Sequence, residues 1–288
     1  MRMLRGLLAT LLLGLALGAC GPEPLPATPA LWAVRDEAGH EGWLFGTIHS
    51  APAPLDWRSD TIDGALTKAG AIMVEVGNLQ DDAAVAATFA RLAQGENEPP
   101  LSTRVAPDVR PALKALMDKA GYVDGQFREV ETWAAALTLA RNSEDGSDAA
   151  NGVDRAVLQA AGARPVLELE GAEAQLGIFD TLPEREQRDL LGAVAQEATS
   201  PDGADLLKGW RRGDITALEA ETRRGLLADP ELREALFTAR NAAWADKIAK
   251  TVREDRRPFV AVGAAHMVGP DGLVALLERA GLTVKRLQ

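Results

Sequence analysis

One cysteine in 288 residues, Cys20, rules out an internal disulfide, so the fold must rest on its apolar core. Basic residues are also few: 31 Lys and Arg stand against 42 Asp and Glu, a formal net charge of −11. A chain this acidic is not built to bind nucleic acid or to adhere electrostatically to anionic lipid. Long apolar runs are scarce too. The main one, Gly6 to Ala19, follows Arg2 and Arg5. As a helix it would reach only about 20 Å, short of the roughly 30 Å hydrocarbon core of a bilayer. A charged start followed by a short apolar run is instead the order of a secretory signal peptide.

The leader closes on Leu17-Gly18-Ala19-Cys20, which resembles a bacterial lipobox. Cleavage there would remove residues 1–19 and leave Cys20 to carry a lipid. The next ten residues, GPEPLPATPA, hold four prolines and read as an extended tether over 20–30. The expectation is a lipoprotein of the bacterial cell envelope, facing the periplasm and held to the membrane through Cys20 only. The remaining residues 31–288 suit one large domain, and a hydrophobic content of 47% suits a real core.

What is present is a repeated unit. Leu31–Arg35 and Trp43–Gly46 read as a hairpin, followed by a loop, a helix over 58–69, Gly70 and a buried strand over 71–76. The end of the chain repeats this order: a strand over 259–262, a loop, a helix over 272–280, Gly281 and a strand over 282–286. The fold class expected is α/β. A mixed central sheet is built from two related strand-GxxH-helix-strand halves, with a long, mostly helical insertion over about 80–255 between them. A strand over 165–169 interrupts that insertion.

Each unit carries Gly-x-x-His just past its first strand, ending at His49 and His266. With 27 glycines and three histidines in the chain, two such spacings arise by chance in roughly one sequence in forty. His40, in the hairpin turn, has no such context and is given no role. Both histidines fall beyond the carboxyl end of a strand, where open α/β sheets place their ligands. Two imidazoles and a carboxylate suffice for a divalent transition metal such as Zn, Mn, Co or Fe. Glu75 is the candidate third ligand, because it interrupts the apolar strand Ala71-Ile-Met-Val. A carboxylate buried there must be paired or bound to a cation; otherwise it lies past the strand and faces water. A metal at such a site would favour hydrolysis, with a second carboxylate taking the proton of water. Glu170 and Glu173 are the nearest by pattern, the alternative being that both are surface residues at a helix start.

The segments LFGTIHS, MVEVG, GVDRAVLQAAGARPVLELEGAEAQ, GWRRGD and FVAVGAAHMVGPDGL, with the Arg240-Asn241-x-x-Trp244 pattern, resemble the TraB/GumN family. That family includes the pheromone-shutdown protein PrgY and is related to the animal Tiki proteases. The resemblance runs from Leu31 to the C-terminus and covers Asp154, Glu170, Glu173 and Gln175. Thr132-Trp133 stands where the family has Pro-Trp. It implies a two-half α/β fold with both Gly-x-x-His motifs and the strand glutamate in one cleft, resembling a metal-dependent hydrolase site. It also implies that Arg240 and Asn241 line that cleft, Arg240 pairing a carboxylate or stabilising an oxyanion; a helix-packing ion pair and cap is the alternative. The functional expectation is a metal-dependent hydrolase, a peptidase by analogy with the Tiki branch, acting on a peptide or envelope substrate. A non-catalytic binding or regulatory lipoprotein using the same cleft is the competing expectation.

Overall fold

Continuous apolar runs are what strands covered on both faces require, and two such segments form adjacent interior strands of the sheet. In the computed structural model, which describes residues 23–79, 81–143, 147–198 and 203–288, these are β5 (Ala71–Val74) and β7 (Pro258–Gly263). The expected leader over 1–19 and Cys20 lie outside the described residues. The other strands are β1 (Leu25–Pro26), β2 (Leu31–Arg35), β3 (Glu41–Thr47), β4 (Leu55–Asp56), β6 (Val166–Glu168) and β8 (Thr283–Arg286). Six of them make one sheet in the order β6-β5-β7-β3-β2-β8. The members β6, β5, β7 and β3 are mutually parallel, and β2 runs antiparallel to both β3 and β8.

The sheet is therefore mixed α/β, and the two repeated units interlock within it. Strand β7 of the second unit sits between β3 and β5 of the first. Each unit folds back through its helix, α1 (Asp60–Lys68) or α12 (Leu273–Arg279). Ser59 caps α1 by accepting a hydrogen bond from the Ile62 N–H, and Ile62, Ala65 and Leu66 face the core. Gly70 ends the first crossover because a Cβ there would lie 2.7 Å from the Arg256 carbonyl oxygen. From Leu25 on, the proline-rich stretch lies against the domain: β1 pairs with β4, and the Ala30 side chain is buried. The packed chain thus begins ahead of Leu31.

The insertion builds a second apolar core of its own. Helices α3 (Arg110–Ala120), α4 (Thr132–Ser143) and α7 (Glu184–Glu197) meet there around Leu113, Trp133, Leu139, Leu190 and Leu191. It returns to the sheet through α5 (Val153–Gln159) and β6, then α6 (Ala172–Asp180). One nearly continuous helical rod joins the two cores. Leu232 and Leu236 enter the helical core, while Trp244, Ile248 and Val252 on α11 (Ala239–Arg253) enter the sheet core. A π-helical turn, Glu234–Thr238, lies between the two halves of the rod. Among the described residues, no helix is long and apolar enough to cross a membrane.

Candidate functional site

Three neighbouring parallel strands end at one edge and bring the site together. Gly46 and Thr47 of β3 stand opposite Val262 and Gly263 of β7, so the two Gly-x-x-His motifs lie side by side. His49 follows β3 by two residues, and His266 sits in the 3-10 turn Ala264–Met267 after β7. On the other side of β7, Val74 stands opposite Ala261 and Glu75 follows directly.

Gly263 is where the three meet. A Cβ placed on it would lie 3.5 Å from Glu75 Oε1, 3.5 Å from His266 Cδ2 and 3.8 Å from His49 Nε2. Its φ of −47° needs no glycine, so what the missing side chain supplies is space between the three groups. Gly46 has a different reason. A Cβ there would come within 2.9 Å of the Ala264 Cα, so this glycine lets the second motif pack against the first. Trp210, in the GWRRGD segment, donates its indole N–H to the Gly46 carbonyl (2.8 Å) and holds that strand end.

Both imidazoles are anchored through Nδ1. His49 Nδ1 meets Asp154 Oδ2 at 2.7 Å, and His266 Nδ1 meets Asn241 Oδ1 at 2.6 Å. Asn241 is itself oriented, since its Nδ2 donates to the Asp271 carbonyl (2.8 Å). Its Oδ1 must therefore accept from His266, which puts the proton on Nδ1 and a lone pair on Nε2. Asp154 is fixed on α5, whose first N–H, at Val153, donates to the Ile48 carbonyl (2.9 Å). Gly152 allows that approach, as a Cβ there would lie 2.3 Å from the His49 carbonyl oxygen. The hydrogen bond to Asp154, with help from the Glu75 charge, raises the His49 pKa to about 9, although the ring itself is largely exposed. Burial lowers His266 to about 4, against the attraction of Glu75. Phe237 stacks on the His266 ring (centroids 5.3 Å apart) and Trp244 tilts against it at 4.6 Å.

Glu75 is buried and accepts three hydrogen bonds. Its Oε1 accepts from the Gly263 N–H (2.8 Å), and its Oε2 accepts from Gln175 (2.9 Å) and Arg240 (3.0 Å). Burial pushes its pKa up, but His266, His49, Arg240 and the Gly263 N–H together hold it below the usual carboxylate value. Arg240 also forks onto Glu170, Nε to Oε1 and Nη2 to Oε2, both at 2.9 Å, and lies over the Trp244 ring. The Trp244 indole N–H donates to Glu170 Oε1 (3.0 Å). Arg240 thus pairs two carboxylates, and Glu170 is held by it rather than left free to move a proton. Glu173 is not in the site: it is exposed on α6 and pairs with Arg91 of α2 (Asp82–Leu92).

The donor types fit a divalent transition metal. Both Nε2 atoms are left over, that of His49 once a cation displaces its proton, each opposite Nδ1 is held by an oxygen as metal-binding imidazoles commonly are, and the room above Gly263 is the room a Cβ would fill. The arrangement stops short of a finished site. Among the described residues, no three His, Cys, Asp or Glu side chains are drawn together closely enough to hold an ion as they stand. Burial of Glu75 is accounted for by Arg240 and the Gly263 N–H, and does not by itself require a cation. Sequence reasoning gave no role to Asp154, Gln175, Trp244, Asp271 or the Gly263 N–H. Asp154 and Gln175 were visible as matched positions, but their tasks depend on contacts across 105 and 100 positions of chain.

A mixed α/β sheet with two Gly-x-x-His motifs and a buried glutamate at one strand edge, backed by an Arg–Asn pair on a helix, defines a class of paired-motif cleft proteins. Within that class the chain belongs to the TraB/PrgY/gumN family, whose model matches residues 30–286. It is 28% identical to a protein of Escherichia coli K12, YbaP, described as uncharacterized, over 82% of this chain and 87% of that one. An uncharacterized protein of Treponema pallidum is 23% identical, covering 86% of this chain and 80% of its own length. No solved structure matches the chain.

Proposed function

We propose that this protein is a metal-dependent hydrolase, a peptidase, held in the bacterial cell envelope by a lipid on Cys20. One observation carries the reading: both imidazoles are tied through Nδ1, leaving two Nε2 atoms and Glu75 around the space over Gly263. His49, His266 and Glu75 would hold the ion, which supplies an activated water and polarises the scissile carbonyl. The chain's own residues then do the positioning. Asp154 and Asn241 fix the ring planes, Gln175 and the Gly263 N–H aim the Glu75 carboxylate, and Arg240 keeps it charged. Glu170 and Trp244 lock Arg240 in turn. Closing the ligand set needs His49, whose side chain is 69% exposed, to settle inward.

A second reading has a specific observation behind it. The Glu75 charge is already balanced by Arg240, as it would be in a non-catalytic protein that captures a peptide in the same cleft. Metal analysis separates the two. The mature chain, purified with divalent metal supplied, should carry close to one equivalent, and His49→Ala and His266→Ala should each lose it. A metal-free parent that releases no product from a peptide library, with or without chelator, overturns the hydrolase reading.

A further inference from the structure

Beside the Glu75–His49 edge lies a half-open cavity of about 190 Å³. Val74, Val76, Leu79 and Val262 give it an apolar wall, and Thr47 closes one side. An apolar cavity of about 150 Å³ already accommodates a benzene ring, so this one has room for a leucine, methionine or phenylalanine side chain. Its two carboxylates offer little to a cation: Asp154 is taken by His49 and the Arg155 N–H, and Glu75 by three donors. An acidic side chain would meet both of them, and the cationic group on the lining, the His49 imidazole, is already balanced by Asp154. The Thr47 hydroxyl is the exception to this complete pairing, being buried with no hydrogen-bond partner among the described residues. Buried hydroxyls without partners are uncommon in folded proteins, and one beside a cavity calls for an explanation.

We propose that this cavity is a side-chain subsite selecting a medium-to-large apolar residue of a peptide. Leu79 is its specificity-determining residue, and the Thr47 hydroxyl hydrogen-bonds the bound peptide. Leu79 sets the selection because it is the half-buried residue at the mouth, on the loop between Glu75 and α2, whereas Val74 and Val76 are packed in the core. This deepens the peptidase reading and rests on it for the class of ligand. It does not require turnover.

Binding is read first, on the intact mature protein, by NMR or calorimetry with N-acetyl amides of leucine, phenylalanine, lysine and glutamate. The leucine and phenylalanine amides are expected to bind at least tenfold more tightly than the charged ones. Leu79→Trp, which fills the mouth, should weaken them tenfold or more without changing metal content or the thermal midpoint. Leu79→Asp should shift preference toward the lysine amide. Thr47→Val, an isosteric change at an unpaired hydroxyl, should leave the midpoint unchanged or raised and weaken the apolar amides severalfold. Equal binding of all four amides, or unaltered preference in both Leu79 variants, overturns the subsite. Selective binding without any peptide cleavage leaves the subsite standing and removes the hydrolase reading. Cleavage with no apolar preference does the reverse.

Discussion

Arg240 is the residue on which the electrostatics of the cleft turn. Two carboxylates, the buried Glu75 and the half-buried Glu170, share its guanidinium, and no other basic side chain bonds to either carboxylate in the described residues. Removing one partner of a buried pair leaves uncompensated charge and costs about 3–5 kcal/mol. Arg240→Ala should therefore lower unfolding stability by about that much in urea titrations, whereas Glu173→Ala, at an exposed pair, should change it by less than about 1 kcal/mol. The two histidines give the metal-free protein a pH signature. The His49 pKa is raised from 6.5 to about 9, so its contribution is complete below pH 6.5 and is lost as pH climbs through 9. The His266 pKa is lowered from 6.5 to about 4, so the unfolded chain takes up the proton first and stability falls as pH drops from 6.5 toward 4. Chelated protein should be most stable near pH 6.5. Asp154→Asn should flatten the alkaline limb and spare the acid one; an unchanged alkaline slope would show that the His49–Asp154 pair is not its source.

The paired strand ends of β3 and β7 make different demands on their two glycines. Gly46 is a packing requirement, with the Ala264 Cα 2.9 Å from where a Cβ would stand. Gly46→Ala should cost about 1–3 kcal/mol of stability, as overpacked positions do. Gly263 has no such clash and an ordinary φ. Gly263→Ala should keep the thermal midpoint within a degree or two, yet its methyl group would occupy the space between the imidazoles and Glu75. Metal content or ligand affinity should fall at least tenfold. A Gly263→Ala protein that folds and still loads metal would show that the ion, if any, binds elsewhere. Much of this was legible in advance because it is local: strand, Gly-x-x-His, loop and helix recur within short stretches, and a glutamate ending an apolar strand stands out. The cleft roles of Arg240 and Asn241 were not legible from pattern. A helix face says nothing about which distant carboxylate it meets, and here the π turn before Arg240 also shifts the phase of that face.

Across the whole molecule, the sheet core and the helical core are separate apolar clusters, bridged at the cleft by Arg240, Glu170 and Gln175. Amides of α3, α4 and α7 should accordingly exchange as a group distinct from those of β3, β5 and β7. Ligand bound in the cleft should slow both groups together; protection confined to the sheet would argue against the bridge. The helical character of the insertion was readable from periodicity. Its independent core, and the interlocking of the repeated units, were not, since hydrophobic spacing identifies strands but does not order them.

That interlocking governs when the cleft can exist. Because β7 lies between β3 and β5, His49 and Glu75, from the first repeated unit, cannot meet His266 until the second unit has folded in between them. A chain that stops short of β7 carries two of the three groups and has an open slot where that strand belongs. The cleft therefore cannot be assembled piecemeal: it closes only when the centre of the sheet does.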